Sequence, residues 1–328
     1  MRKYIIKRIL IGVLVVLFGA LVVYAVIRCL PASYVENMAR QKAASSQGVS
    51  YQEILADMNK IYRLDKSIPA GFFGWLTDAV RGNFGYSWHW GILCVDKFKQ
   101  VIGYSMSLNL VALLVETLVG IPLGILAAKK QYSKTDYAVT IFALVGVSLP
   151  SFFLATLLKY IFAVKLGWLP SEGIVGRMYN YLSPLGKLGD LARHLVLPVV
   201  VLCMLSIGGL MRYTRTNMLE VLNADYIRTA RAKGLPEKKV INRHAFRNTL
   251  IPLVTYMSYL IPSLFSGAMI TEQLFQIPGI GQAFYQSTIT GDIPFTMFYS
   301  VFIIILTQIS LLVADVMYAV VDPRVRIA

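Results

Sequence analysis

"ADYIRTARAKGLPEKKVINRHAFRNTLIP", residues 224–252, carries Arg228, Arg231, Lys233, Lys238, Lys239, Arg243 and Arg247 between two long apolar runs. From Met218 onward, Leu219, Leu222, Tyr226, Ile227 and Ala230 fall on one stripe of a helix, while Arg228, Arg231 and Lys233 fall elsewhere. Gly234 follows the basic last turn, as a helix stop with a left-handed residue requires. Pro236 and Glu237 then read as the first turn of a second helix, which runs through Val240, Ile241, Ala245 and Phe246. The segment is a helix, a glycine-centred turn and a helix.

The flanks decide what such a unit can be. The chain has 328 residues, of which 56% are hydrophobic and only 15% charged, with a mean hydropathy of +0.61. That balance excludes an ordinary soluble domain and indicates a polytopic membrane protein. Six stretches are long enough to cross about 30 Å of hydrocarbon as helices: Ile9–Cys29, Ser105–Ala128, Tyr137–Phe162, His194–Met211, Leu250–Phe275 and Met297–Val320. A basic helix-turn-helix otherwise suggests DNA. Here both of its ends are tethered to spans and it cannot bury a core of its own, so no nucleic-acid partner is expected.

The net charge of +15 is a topology signal. The N-terminus, the loop after the second span, residues 212–249 and the tail together hold 18 Lys and Arg against five acids, whereas residues 31–103 hold eight against six. The positive-inside rule puts both termini and the opening stretch in the cytoplasm. The first apolar run is longer than a signal core, and Arg28 before Cys29 does not fit a lipoprotein cleavage site, so it reads as an uncleaved span. Cys29, Cys94 and Cys203 form no close pair, and neither a metal set nor a disulfide framework is expected.

Residues 31–103 are too long for a simple connector. Ser50 and Glu53 are spaced as a capping box, and Tyr51, Ile54, Leu55, Met58, Ile61 and Tyr62 follow at helical spacing. "GNFGYSWHW" (82–90) supplies glycines and aromatics of the membrane-interface kind. The segment is either a cap on the outer ends of the spans or a surface for a delivery partner, and the two readings are compatible.

A basic loop lying on anionic lipid would account for the charge of residues 224–252. It would not account for the turn or the apolar stripe, which needs a groove to fill. With these features, the stretch resembles the cytoplasmic coupling loop of ABC importer membrane subunits, and more closely that of the dipeptide/oligopeptide permease branch. The resemblance runs through "GIPLGILAA" (120–128), "LGWLPSEG" (166–173), "HLVLP" (194–198), "RYTRTNMLEVLNADYIRTARAKGL" (212–235), "RHAFRNTLIP" (243–252), "PGIGQ" (278–282) and "DPRVR" (322–326). The sequence departs from the family pattern in three places. Arg228, Thr229 and Ala230 stand at the family's Glu-Ala-Ala, Ala32-Ser33-Tyr34 at its Gly-Asp-Pro, and Leu311 where an Asn is common.

The resemblance implies an all-α integral membrane protein of the type I ABC importer permease kind. It would have six transmembrane helices, a cytoplasmic coupling helix and an extracytoplasmic cap between the first two spans. The organisation expected is 1–30 for the N-terminus and first span, 31–103 outside, and 104–328 for a five-span core with the coupling loop at 212–249. Implied partners are a second homologous permease subunit, two ATPase subunits, an extracytoplasmic substrate-binding protein and the bilayer of a prokaryotic cell membrane. No Gly-x-x-x-x-Gly-Lys-Ser/Thr occurs, and "PGIGQ" lacks the Lys, so this chain is not expected to be an enzyme or to bind a cofactor. ATP and Mg would be used by the partner subunits. The substrate implied is a short peptide; oligosaccharides, nickel or glutathione fit the same architecture. A non-transporting scaffold would leave the coupling helix unexplained, and a secondary transporter would be expected to show internal repeats.

In the resulting mechanism, ATPase closure moves the docked helix Asp225–Lys233 as a lever, and the turn at Gly234 passes the motion to the spans. The coupling residues expected are Asp225, Tyr226, Arg228, Ala230, Arg231, Ala232, Lys233 and Gly234. Ala230 and Ala232 would allow close approach, Tyr226 would bury area, and Arg231 would meet an acidic rim on the partner. The pathway candidates are Ser148 and Pro150, at a break in the third span that either lines a pathway or is a plain kink, and Glu272, which either faces a peptide's amino terminus or a cation or pairs with a backbone group or a basic neighbour. Asp315 reads as structural, and Glu116 is left open.

Overall fold

The computed structural model describes residues 2–29, 32–45, 50–61, 63 and 65–321. These are predominantly helical, and the β pairing among them is an isolated bridge between Tyr86 and Leu93. In chain order the first helices are α1 (Arg2–Arg28), α2 (Ala32–Ser45), α3 (Tyr51–Ile61), α4 (Ile68–Val80), α5 (Cys94–Lys129), α6 (Lys134–Ser148) and α7 (Ser151–Leu158). α7 continues as a π-helical segment, Lys159–Lys165. There follow α8 (Pro184–Leu222), α9 (Asp225–Ala232), α10 (Glu237–Lys239), a second π segment (Val240–Ala245) and α11 (Phe246–Ser258). α12 (Ile261–Ser266), α13 (Met269–Leu274), α14 (Ile280–Thr290) and α15 (Ile293–Val321) are the last helices among the described residues. The tail phrase 322–326 and Tyr62 lie outside the described residues.

Among the described residues, five stretches are long and apolar enough to cross a membrane: Ile5–Arg28, Cys94–Lys129, Pro184–Leu222, Glu237–Leu274 and Ile293–Met317. A sixth is met only if α6 and the α7 segment count as one span, because they meet at 102°. The bend sits where Pro150 was expected to break the helix. Leu149 is extended (φ −83°, ψ 132°), the conformation into which the residue before a proline is pushed. The fourth span is longer than expected. α8 has 39 residues, about 58 Å at 1.5 Å per residue, so it overruns His194–Met211 at both ends.

The chain divides into two units, Met1–Ile102 with Ala283–Ile309 and Gly103–Gln282 with Ser310–Ala328. In the first, the capping box forms as spaced. Ser50 N–H donates to Glu53 Oε2 at 3.0 Å and Glu53 N–H to Ser50 Oγ at 3.2 Å. Met38, Ala39, Met58, Trp88 and Ile293 make one buried cluster. Its loop is tied by Asp292: Oδ1 accepts from Trp88 N–H at 3.0 Å, and Oδ2 accepts from His89 N–H at 3.3 Å and from the Ser87 hydroxyl. Within "GNFGYSWHW", Trp88 is buried in this cluster, whereas Tyr86 is exposed.

In the second unit, α6 and α8 pack most extensively, and a small residue sets the distance between them. A Cβ on Gly208 would stand 2.7 Å from the carbonyl oxygen of Ala143, so only glycine lets the backbones come this close. The "LGWLPSEG" loop is held by the Gly173 N–H donating to Phe275 O at 2.8 Å and by Arg193 donating to Trp168 O at 3.0 Å.

Candidate functional site

The helix-turn-helix is present where the sequence placed it. α8 ends at Leu222, α9 begins at Asp225, and Gly234 adopts φ +73°. A Cβ at Gly234 would meet nothing within 4 Å, so glycine is required there by the backbone and not by space. The Leu235 N–H donates to Ala230 O at 3.4 Å and the Gly234 N–H to Arg231 O at 2.9 Å. That crossed pair, with Leu235 packed beside Ala230, is a Schellman stop.

The apolar stripe of α9 does not wait for a partner's groove, which corrects the sequence expectation. Ile227 (0% exposed) and Ala230 (7%) are buried with Ala128, Met218, Val240, Ile241 and Ala245 of the same unit. The physical reason is the Gly234 turn, which folds the second helix back onto the stripe. Ala230 therefore packs internally. Asp225, Tyr226, Arg228, Arg231, Ala232, Lys233 and Gly234 are all exposed.

Two side chains tie this surface down. Arg231 Nη2 and Nε donate to Glu237 Oε1 and Oε2 at 2.8 and 3.2 Å, a fork across the Gly234 turn. That bond holds the Arg231 guanidinium charged, above its already high ordinary range. The acid Arg231 meets here is Glu237 of its own chain. The Tyr226 hydroxyl accepts from Asn248 Nδ2 at 3.3 Å, linking α9 to α11. Arg228 stands 3.7 Å from Asp225, both well exposed.

The pathway candidates separate. Glu272 is fully buried, and its carboxylate accepts from the Ser105 hydroxyl at 2.7 Å, from Ala268 N–H at 3.0 Å and from Gln282 N–H at 2.9 Å. Of its two alternatives, backbone pairing is the one found. "PGIGQ" supplies the bare backbone that wraps this carboxylate, and the Ile280 N–H donates to Ser105 Oγ at 2.7 Å. Ser148 and Pro150 are exposed at the 102° bend, with the Ser148 hydroxyl donating to Leu144 O at 2.7 Å.

A cavity of about 400 Å³ opens beside that bend, lined by Val147 and by three helical stretches. α5 contributes Asn109, Ala112, Leu113 and Glu116; α8 contributes Leu202, Leu205, Ser206 and Gly209; and α11 with α12 contributes Tyr256, Leu260 and Ser263. On α5 and α8 these are positions i, i+3, i+4 and i+7, one face of each helix. The sequence reading singled out Glu116 without a role and missed the others. Polar residues recurring at helical spacing inside apolar spans were the available signal. Glu116 is 6% exposed, and Ser206 lines the same cavity with its hydroxyl donating to Leu202 O at 3.0 Å.

Comparison with known proteins places this architecture. Residues 120–327 match the family model described as "Binding-protein-dependent transport system inner membrane component". The chain is 34% identical to the oligopeptide transport system permease protein AppB of Bacillus subtilis (strain 168), over 99% of this chain and 100% of that protein. It is likewise 34% identical to the oligopeptide transport system permease proteins OppB of Salmonella typhimurium and Escherichia coli K12, over 84% of this chain and 86% of theirs. With apolar helices that cross a membrane several times and a family match over most of its length, the chain belongs to the inner membrane components of binding-protein-dependent transport systems, the membrane subunits of ABC importers.

Proposed function

We propose that this protein is the permease subunit through which an ATP-driven importer passes short peptides across the cell membrane by alternating access. The observation that carries the peptide reading is its likeness, over 99% of its length, to a permease named for oligopeptide transport. In this reading the chain crosses six times, counting the bent α6–α7 pair as one, with both termini and α9 in the cytoplasm, an orientation supported by the excess of Lys and Arg on that side, and with residues 31–103 as the outer cap. A second homologous permease, two ATPase subunits that use ATP and Mg, and an extracytoplasmic binding protein complete the assembly.

The coupling surface is the outward face of α9: Asp225, Tyr226, Arg228, Arg231, Ala232 and Lys233, with Gly234 as its hinge point and Ala230 as its anchor. What supports this is that α9 is short, exposed along one face, and fastened to the following span through its own packed core and the Tyr226–Asn248 contact. A push on α9 is therefore delivered to α11 through packed side chains and not through a loose loop.

Uptake measured in vesicles holding all subunits tests the reading. Labelled di- to pentapeptides are expected to accumulate when ATP is supplied on the cytoplasmic side. Accumulation of oligosaccharides, nickel or glutathione in their place would overturn the peptide assignment.

A further inference from the structure

The cavity between α5, α8 and α11 has an unusual balance of groups. Its lining includes one carboxylate, Glu116, and none of its lining residues is basic. The neutral polar groups around it are Asn109, Ser206, Tyr256 and Ser263. Tyr256 is stacked on Tyr213, with centroids 4.7 Å apart and planes at 23°, which fixes its ring as part of the wall. The volume, about 400 Å³, is that of a small-ligand site. A carboxylate at membrane depth is costly unless paired or facing water, and it marks a place where a cation is received.

We propose that this cavity is a subsite for an ammonium group, with the Glu116 carboxylate as its counter-ion, hydrogen-bond acceptors on Asn109, Ser206 and Ser263, and the Tyr256 ring against it. This rests on the peptide-import reading, since a peptide carries such a group at its amino terminus or on a lysine side chain. The subsite holds the ammonium while the rest of the peptide lies against the apolar part of the wall. An aromatic face adds attraction for a cation that has shed its water. An acidic site within the permease core gives this subunit a selectivity of its own, in addition to that of a delivery protein.

The test is uptake by the fully assembled transporter in vesicles, comparing wild type with Glu116→Gln on trialanine, N-acetyl-trialanine and N-acetyl-Ala-Lys-Ala. Loss of a charged partner is expected to lower trialanine uptake at subsaturating concentration by about tenfold. N-acetyl-trialanine uptake is expected to stay within about twofold of wild type. A loss seen with N-acetyl-Ala-Lys-Ala as well extends the site to lysine side chains, and a loss confined to that peptide assigns it to them alone. Equal losses on all three peptides, or none, would overturn the subsite. Ser263→Lys, which puts a cation in the same cavity and leaves Glu116 in place, is the second variant. It is expected to depress the same peptides selectively, and a uniform effect counts against the proposal. Wild-type vesicles that accumulate no peptide would overturn the transport reading itself, whereas wild-type uptake with an indifferent Glu116→Gln overturns the subsite alone.

Discussion

Arg215 on α8 grips Asp136 on the first turn of α6 at two points, Nε to Oδ1 at 2.8 Å and Nη2 to Oδ2 at 2.7 Å. Asp136 is 3% exposed and also accepts from Tyr132 N–H at 3.0 Å. The fork pins the end of one span to the flank of another. Removing Arg215 leaves a buried carboxylate without its cation, at a cost of roughly 3 kcal/mol. Arg215→Ala is expected to lower the unfolding midpoint of the detergent-extracted protein, and Arg215→Ala with Asp136→Asn to recover part of the loss. An unchanged midpoint in the single variant would show the pair to be dispensable.

Gly234 at φ +73° admits no β-branched side chain without strain of about 1–3 kcal/mol. Gly234→Val is expected to abolish peptide uptake while leaving membrane insertion and the amount of protein unchanged. Gly234→Asn, which tolerates the left-handed region, is expected to keep a substantial fraction. Quantitative membrane blots beside uptake rates separate the two effects.

The Arg231–Glu237 fork predicts the outcome of a charge swap. Each side chain is nearly half exposed, so the pair contributes at most about 1 kcal/mol. Arg231→Glu alone is expected to impair uptake by placing two acids across the turn. Combined with Glu237→Arg, which re-forms the staple within the chain, it is expected to restore the amount of protein in the membrane but not uptake, because the cation has left the outward face of α9. Full recovery of uptake by the double variant would remove Arg231 from the coupling surface.

Glu272 is held by three donors in a buried site, and Glu272→Gln exchanges a full carboxylate for an amide that must turn its NH2 toward one of them. The expected cost is about 1–3 kcal/mol. The readout is reduced thermal stability with no change in which peptides are transported. A changed substrate preference with unchanged stability would return Glu272 to the pathway.

Asp292 gathers the Ser87, Trp88 and His89 donors. Asp292→Ala leaves these groups without their acceptor. Limited proteolysis of the detergent-extracted protein is then expected to cut within 82–93 at a rate at least several-fold above wild type.

The sequence made the helix-turn-helix around Gly234 legible because its signals are local: a stop glycine, an N1 proline region and a periodic stripe. Ser50 and Glu53 were legible for the same reason. What filled the Ile227–Ala230 stripe was not, since Val240, Ile241 and Ala245 meet it only after the turn reverses the chain. Glu272 remained two-sided in sequence because its donors, Ser105 and Gln282, come from distant positions. Pro150 announced a break, but proline chemistry alone does not distinguish a kink from a 102° bend. Glu116 could be noticed but not placed, because Asn109 alone shares its helix while Ser206 and Tyr256 come from α8 and α11.

The burial of Ile227 and Ala230 within the subunit has a thermodynamic corollary. The apolar face of α9 is already out of water, so a protein docking there would cover chiefly charged and polar groups on a surface that needs no further ordering. Association of that kind carries a small heat-capacity change and a steep dependence on ionic strength. Salt titration of the assembled complex would read this surface more sensitively than temperature.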